Sequence, residues 1–247
     1  DFGGSKRLVT IMMSDLRGFS ALSDRLPPES IVKLLNNYLS EMTAVIQKHN
    51  GTIDEFLGDA ILTIFGAPLQ RPDDADRAVA CAVDMQLAMV RVNAWNAEQG
   101  FPPLEMGIGI NTGNVVVGNI GSRKRAKYGV VGSNVNLAGR IEGFATGGQI
   151  LISDATRRAV KSPLTLRSEM RAEPKGTSLP TTLHEVGGLA GAFNLQLPEH
   201  RARWVAVEPA WPVSFRWVSH KEVVGQVHEA KVEAEAGRRV ENGRRDD

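Results

Sequence analysis

A chain of 247 residues, 42% hydrophobic and 23% charged, has the balance of a globular protein long enough to bury a core without disulfide or metal staples, so disordered and fibrous classes are excluded. Its 29 Lys and Arg against 28 Asp and Glu leave a formal charge of +1. Binding to nucleic acid by counterion release calls for a basic excess that is missing here, so no nucleic-acid partner is expected.

Leu8 to Met13 is mostly apolar and β-rich, as in a strand buried on both faces, and it runs straight into Ser14-Asp15-Leu16-Arg17-Gly18-Phe19-Ser20. Ile31, Leu34, Leu35, Tyr38, Leu39, Met42, Val45 and Ile46 then recur with a helical period; Pro27-Pro28 suits the first turn and Asn50-Gly51 the stop. Thr52 to Phe56 and Ala60 to Phe65 read as a hairpin whose tip carries Asp59. A second long helix is predicted from Asp73-Asp74, with Ala75, Ala78, Val79, Ala82, Met85, Met89 and Val92 as its apolar stripe. Met106 to Asn111 and Val115 to Ile120 read as a second hairpin around Thr112-Gly113-Asn114. Tyr128 to Val131 reads as a strand leading into a short helix, Asn134 to Glu142. Ile150 to Ser153 is another strand, with Asp154 the expected cap of the helix after it, and Thr182 to Val186 follows. The order predicts an α+β fold: a largely antiparallel mixed sheet with helices on one face.

Composition shifts after about residue 187, where Trp204, Trp211 and Trp217 alternate with prolines. Two domains are therefore expected, a main one over residues 1–187 and a C-terminal extension over 188–247, a partial small β module or dimer-packing tail. Within that extension, Trp204 to Val207 and Val213 to Val218 could be strands, and the last twenty or so residues should fray. Cys81, the single cysteine, suits a reducing, cytoplasmic setting. The apolar stretch Ala78 to Val90 is broken by Asp84 and is too short to span a bilayer. The chain opens on Asp1-Phe2-Gly3-Gly4, with neither an initiator Met nor a signal peptide, and reads as part of a longer protein with regulatory domains upstream.

Three features carry chemistry. Asp15 at a strand end and Asp59 at a hairpin tip would converge if their strands are neighbours, giving two hard oxygen ligands of the kind Mg²⁺ or Mn²⁺ takes beside a polyphosphate. Asn136 and Arg140 stand four apart on one helix face, an amide and a cationic fork suited to a sugar oxygen and a phosphate. Gly18, Phe19 and Ser20 can turn backbone N–H groups toward an anion, and Lys175 adds charge elsewhere. A Walker motif and zinc spacings are lacking, and the five histidines are scattered.

Four segments together resemble the catalytic domain of the class III nucleotidyl cyclases, the adenylate and guanylate cyclase family. They are Thr10 to Ser20, Ile53 to Ala60, Gly107 to Gly113 and Val131 to Arg140, in family order and with family-like spacing. The resemblance covers roughly residues 6 to 187. It implies a ferredoxin-like βαββαβ core with added elements, active as a head-to-tail homodimer. Two Mg²⁺ or Mn²⁺ would be held by Asp15, Asp59 and the backbone of Leu16 in one subunit. Asn136 and Arg140 of the other subunit would orient the ribose and stabilise charge on the α-phosphate. Lys175, Arg123 and the Gly18-Phe19-Ser20 turn would hold the phosphates. The implied reaction is attack of the ribose 3′-hydroxyl on the α-phosphate, with release of pyrophosphate.

The family's two base-reading positions fall on Glu55 and Gly129. Adenylate cyclases typically carry Lys at the first. A carboxylate there can accept from both N1–H and the 2-amino group of guanine, whereas adenine N1 is itself an acceptor. GTP is therefore the expected substrate and ATP the alternative, since Gly129 contributes no side chain. The competing class is a catalytically inactive cyclase-like module, which would normally have lost one of Asp15, Asp59, Asn136 or Arg140.

Overall fold

The computed structural model describes residues 3–122, 125–172 and 180–199, with four short strands between 215 and 241. The chain divides into two compact units, Asp1–Glu199 and His200–Asp247.

In the first unit β1 (Gly4–Leu16) is followed by the short α1 (Phe19–Ser23) and the long α2 (Pro28–Lys48). The β2 (Thr52–Leu57) and β3 (Ala60–Phe65) hairpin precedes α3 (Asp74–Glu98) and β4 (Met106–Ser122). Then come β5 (Arg125–Val131), α4 (Ser133–Glu142), β6 (Ile150–Ser153), α5 (Asp154–Ala159), β7 (Leu164–Ala172), β8 (Thr181–Leu189) and β9 (Leu195–Gln196). Nine strands form one sheet in the order β2-β3-β1-β4-β6-β8-β7, with β5 on β4 and β9 on β8. All described pairings in it are antiparallel except β4 with β6. Without α1, the elements from β1 to β4 run βαββαβ, the core expected from the sequence.

Strand alternation explains the layers. On β1, Met12 and Leu16 join Leu34, Tyr38 and Met42 of α2 and the alanines of α3 in the larger core, while Val9 and Ile11 pack with Ala138 of α4 in a second one. Helices therefore cover both faces of the sheet, not one. The reason is that β1 and β4 are apolar on both sides, so each face needs a cover. Gly109 makes room for α4: a Cβ there would run into the backbone of Glu142 and Ala138.

Other local expectations change for identifiable reasons. Met106 to Ile120 is no hairpin: β4 is a single strand, paired with β1 along Gly4 to Leu16. Gly113 owes its identity to Asn134, whose side chain occupies the space of a Cβ, and not to a turn. After α2 it is Asn50, at φ 54°, that adopts the left-handed conformation; Gly51 is needed because a Cβ would meet Phe65 at 2.8 Å and Ile46 at 2.9 Å. Ser153 caps α5, accepting from the Thr156 N–H, one residue before the expected Asp154. The first unit extends past 187 because β8 continues to Leu189 and pairs with β9.

In the second unit β10 (Phe215–Ser219) pairs with β11 (Glu222–Gly225), and β12 (Lys231–Ala234) with β13 (Arg238–Glu241), all antiparallel. The last pair lies where fraying was expected. Residues 204–207 fall outside the described residues. Among the described residues no helix is long and apolar enough to cross a membrane.

Candidate active site

Asp15 is the penultimate residue of β1, and Asp59 sits at the tip of the β2–β3 hairpin. That tip is closed by the facing pair Leu57 and Ala60, with Gly58 at φ 69°, a conformation that favours glycine. Because β3 lies beside β1 with Ser14 opposite Ile61, the hairpin delivers Asp59 to the end of β1. There the Leu16 N–H donates to Asp59 Oδ2 at 3.3 Å. Burial, then the charge of Asp15 and a hydrogen bond between the two carboxyl groups, push the Asp59 carboxyl up to about 6. Tyr38 lies buried close by, its hydroxyl donating to Met106 Sδ at 3.3 Å; its phenol is pushed up by burial first and then by the two aspartates. Repulsion between acids held in contact is what a cation relieves, so the pair fits a hard divalent ion. Among the described residues no group of three or more His, Cys, Asp or Glu that could hold a metal ion is found.

Arg17 ties this corner to α4. Its guanidinium pairs with Glu142 Oε1 at 2.6 Å and Asp15 Oδ2 at 3.5 Å, and donates to the carbonyls of Glu142 and Ala145, both at 3.0 Å. Gly107 is the residue that leaves space for it, since a Cβ there would overlap the guanidinium. Sequence reasoning assigned Arg17 no role of this kind; its position directly after the metal-site strand was the available signal.

The helix that carries Asn136 and Arg140 is anchored by side chains at its start. Asn111 donates to both the backbone and side-chain oxygens of Asn134 at 3.1 Å, and Asn134 donates to the Asn114 carbonyl at 2.9 Å. Ser153 in turn donates to Asn111 at 2.8 Å. Ala138 and Ile141 of α4 are buried. Asn136 is exposed and Arg140 half-buried, and neither makes a hydrogen bond or ion pair with a described residue. Among the described residues of one chain the two halves of the expected constellation are therefore not joined.

Gly18, at φ 72°, turns β1 into α1 and leaves the N–H groups of Phe19 and Ser20 in a first helical turn, without intrahelical acceptors. The Phe19 ring is buried in the core, so only its backbone could meet a phosphate. Lys175 and Arg123 lie outside the described residues. Glu55 is half exposed on β2 and ion-paired to Lys127 at 3.0 Å; Gly129 is buried on β5. Cys81 is buried in α3, and burial pushes its thiol up, away from nucleophilic use.

Residues 4–184 match the model of the adenylate and guanylate cyclase catalytic domain. The chain belongs to this family. Among solved structures, the guanylyl cyclase Cya2 superposes on this cyclase domain with a TM-score of 0.78 at 53% identity, covering 80% of this chain and 100% of that one. The adenylyl cyclase CyaB from P. aeruginosa gives 0.72 at 38% identity, over 75% and 96%. Adenylate cyclase 1 of Rhizobium meliloti is 32% identical over 198 residues, which are 78% of this chain but 30% of that protein. The cyclase domain thus spans a quarter to a third of the curated relatives it matches.

Proposed function

We propose that this domain converts GTP to 3′,5′-cyclic GMP and pyrophosphate, working as a head-to-tail homodimer in cyclic-nucleotide signalling. The observation that carries the reading is the contact between the Asp15 and Asp59 carboxyl groups, forty-four positions apart in sequence. Two Mg²⁺ or Mn²⁺ ions held by Asp15, Asp59 and the Leu16 carbonyl would supply Lewis-acid stabilisation of the attacking and leaving oxygens. Arg140, without a partner among the described residues of its own chain, bears on the charge that develops at the α-phosphate of the neighbouring subunit's site. Asn136 orients the ribose so that its 3′-hydroxyl lies in line for attack. The N–H groups of Phe19 and Ser20, with Gly18 forming the turn, and the side chains of Lys175 and Arg123 hold the remaining phosphates. Glu55 accepts from guanine N1–H and the 2-amino group, and Gly129 leaves the second base position bare.

The guanylate reading is supported by Glu55 and by the 53% identity to a protein named guanylyl cyclase. ATP is the second reading, favoured by relatives named adenylate cyclase and by the missing side chain at Gly129. The deciding experiment supplies purified protein with Mn²⁺ and either GTP or ATP and measures both cyclic nucleotides. Cyclic GMP as the main product is expected. Cyclic AMP alone would overturn the base assignment, and no product from either triphosphate would overturn the catalytic reading.

A further inference from the structure

We infer that Asn134 is a positioning residue: seated in a socket on β4, it fixes the rotation and register of α4, and with them the reach of Asn136 and Arg140. The inference rests on the catalytic reading of Asn136 and Arg140 above and deepens it.

The apolar contacts of α4 decide which face docks but not where the helix stops. Ala138 and Ile141 are buried, and the floor beneath them is smooth, since Gly109 of β4 lies against the backbone of Ala138 and Glu142. Burial of apolar surface has no direction, and glycine offers no ridge for a helix to lock against. The helix start is equally open. Its N-cap is Gly132, which has no side chain to accept a first-turn N–H.

Asn134 supplies what these contacts lack. Its amide fills the space beside Gly113, where a Cβ would overlap it. Asn111 donates from Nδ2 to both oxygens of Asn134, and Asn134 donates to the Asn114 carbonyl, so the side chain is held from two sides. The socket is itself braced. Asn111 is 1% exposed and accepts from Ser153, whose hydroxyl meets that of Thr156 at 3.2 Å. Thr112 bonds Thr156 at 3.1 Å and Thr10 at 2.9 Å. This chain of buried groups runs from β6 and α5 across β4 to β1. It penalises any other register of the helix, because slipped partners would be left buried and unpaired.

The socket and the working groups lie on different sides of the helix. At 3.6 residues per turn, Asn136 is about 200° and Arg140 about 240° around the axis from Asn134. Turning α4 by about 10° would move its side-chain tips by about 1 Å. A misplacement of that size can cost about a hundredfold in rate.

The test measures kcat and KM with Mn²⁺ and the triphosphate that the wild type turns over faster, with thermal midpoints recorded alongside. Asn134→Ala should lower kcat by about ten- to a hundredfold and leave KM within about twofold. Equal mixing with other variants then separates a misplaced helix from general damage. With Asp59→Ala, about a quarter of wild-type activity should return, because the mixed dimer pairs an intact carboxylate corner with an intact α4. With Arg140→Ala nothing should be gained, because both variants spoil the same helix. If Asn134→Ala is unfolded at the assay temperature, Asn134→Asp decides in its place. An acid suits a first helical turn, but here it sets an acceptor against the Asn114 carbonyl. It should keep the wild-type midpoint, lose kcat about tenfold and show the same mixing pattern. Unfolding of both variants, a kcat within about twofold of wild type, a loss carried by KM, recovery with Arg140→Ala, or no recovery with Asp59→Ala overturns the inference and leaves the catalytic reading standing. Failure of Asp59→Ala and Arg140→Ala to complement each other overturns the two-chain reading, and the inference with it.

Discussion

The carboxylate corner and the outer face of α4 are built in opposite ways. At the corner every charge is engaged: Asp59 on Asp15 and the Leu16 N–H, and Arg17 on Asp15 and Glu142. On α4 the base of the helix is fastened to the sheet through Asn134, but Asn136 and Arg140 are left without a described partner. One half stores repulsion that a cation would relieve; the other keeps a cation in reserve. In the homodimer proposed above, a half-site of each kind on one chain would let two copies complete each other.

The comparison breaks first on activity. Arg140→Ala should lower kcat by on the order of 10²–10³ with little change in KM, if the guanidinium acts chiefly in the transition state. Asp59→Ala should abolish turnover. Mixed in equal amounts, these two dead variants should regain about a quarter of wild-type activity, because half of the dimers would be mixed and each of those holds one intact site. No recovery on mixing would show that both halves act within a single chain.

A smaller effect concerns the link between the two regions. Arg17→Met leaves the buried Glu142 carboxylate without its cation and should cost about 3 kcal/mol in urea unfolding. A loss below about 1 kcal/mol would mean that the corner and the helix are energetically independent.

The stored repulsion can be read by pH with divalent ions chelated. The folded state raises the Asp59 carboxyl from 3.8 to about 6, so it binds the proton more tightly than the unfolded chain. Stability should therefore fall as pH rises from about 4 to about 6 and then level off. Asp59→Asn removes that slope. Above pH 6 the variant should melt higher than the wild type, and below pH 4 the advantage should vanish. Added Mg²⁺ should raise the wild-type midpoint and leave that of Asp59→Asn unmoved. A wild type with no such slope would show that the two acids are not in contact in solution.

The smallest effect sharpens the picture of α4 itself. Gly139 lies in the helix interior, and an added Cβ would meet only Met13 Cε, at 3.8 Å. Gly139→Ala should stabilise the domain by about 0.5–1 kcal/mol with kcat unchanged. A fall in kcat would mean that catalysis uses the looseness of this helix.

Much of this molecule was readable before any coordinates. The 3.6-residue period of Leu34, Tyr38, Met42 and Ile46 specified α2, and Leu57-Gly58-Asp59-Ala60 specified the hairpin tip, because both signals are local. The base positions Glu55 and Gly129 came from family resemblance, not from any pattern within the chain. β4 was misread because Thr112-Gly113-Asn114 looks like a turn until its partner strand is known. The same blindness to partners put all helices on one face, since apolar residues on both sides of β1 name no particular cover.

By itself, then, the sequence nominated the candidate site residues and determined most of the elements that carry them, since periodicity, turns and caps are decided by residues a few positions apart. Only the tertiary structure decided that Asp15 meets Asp59, that Arg17 reaches α4, and that Asn134 finds its socket on β4. Those outcomes depend on strand register and on which strands lie side by side, and register is set by contacts between segments that no local pattern records.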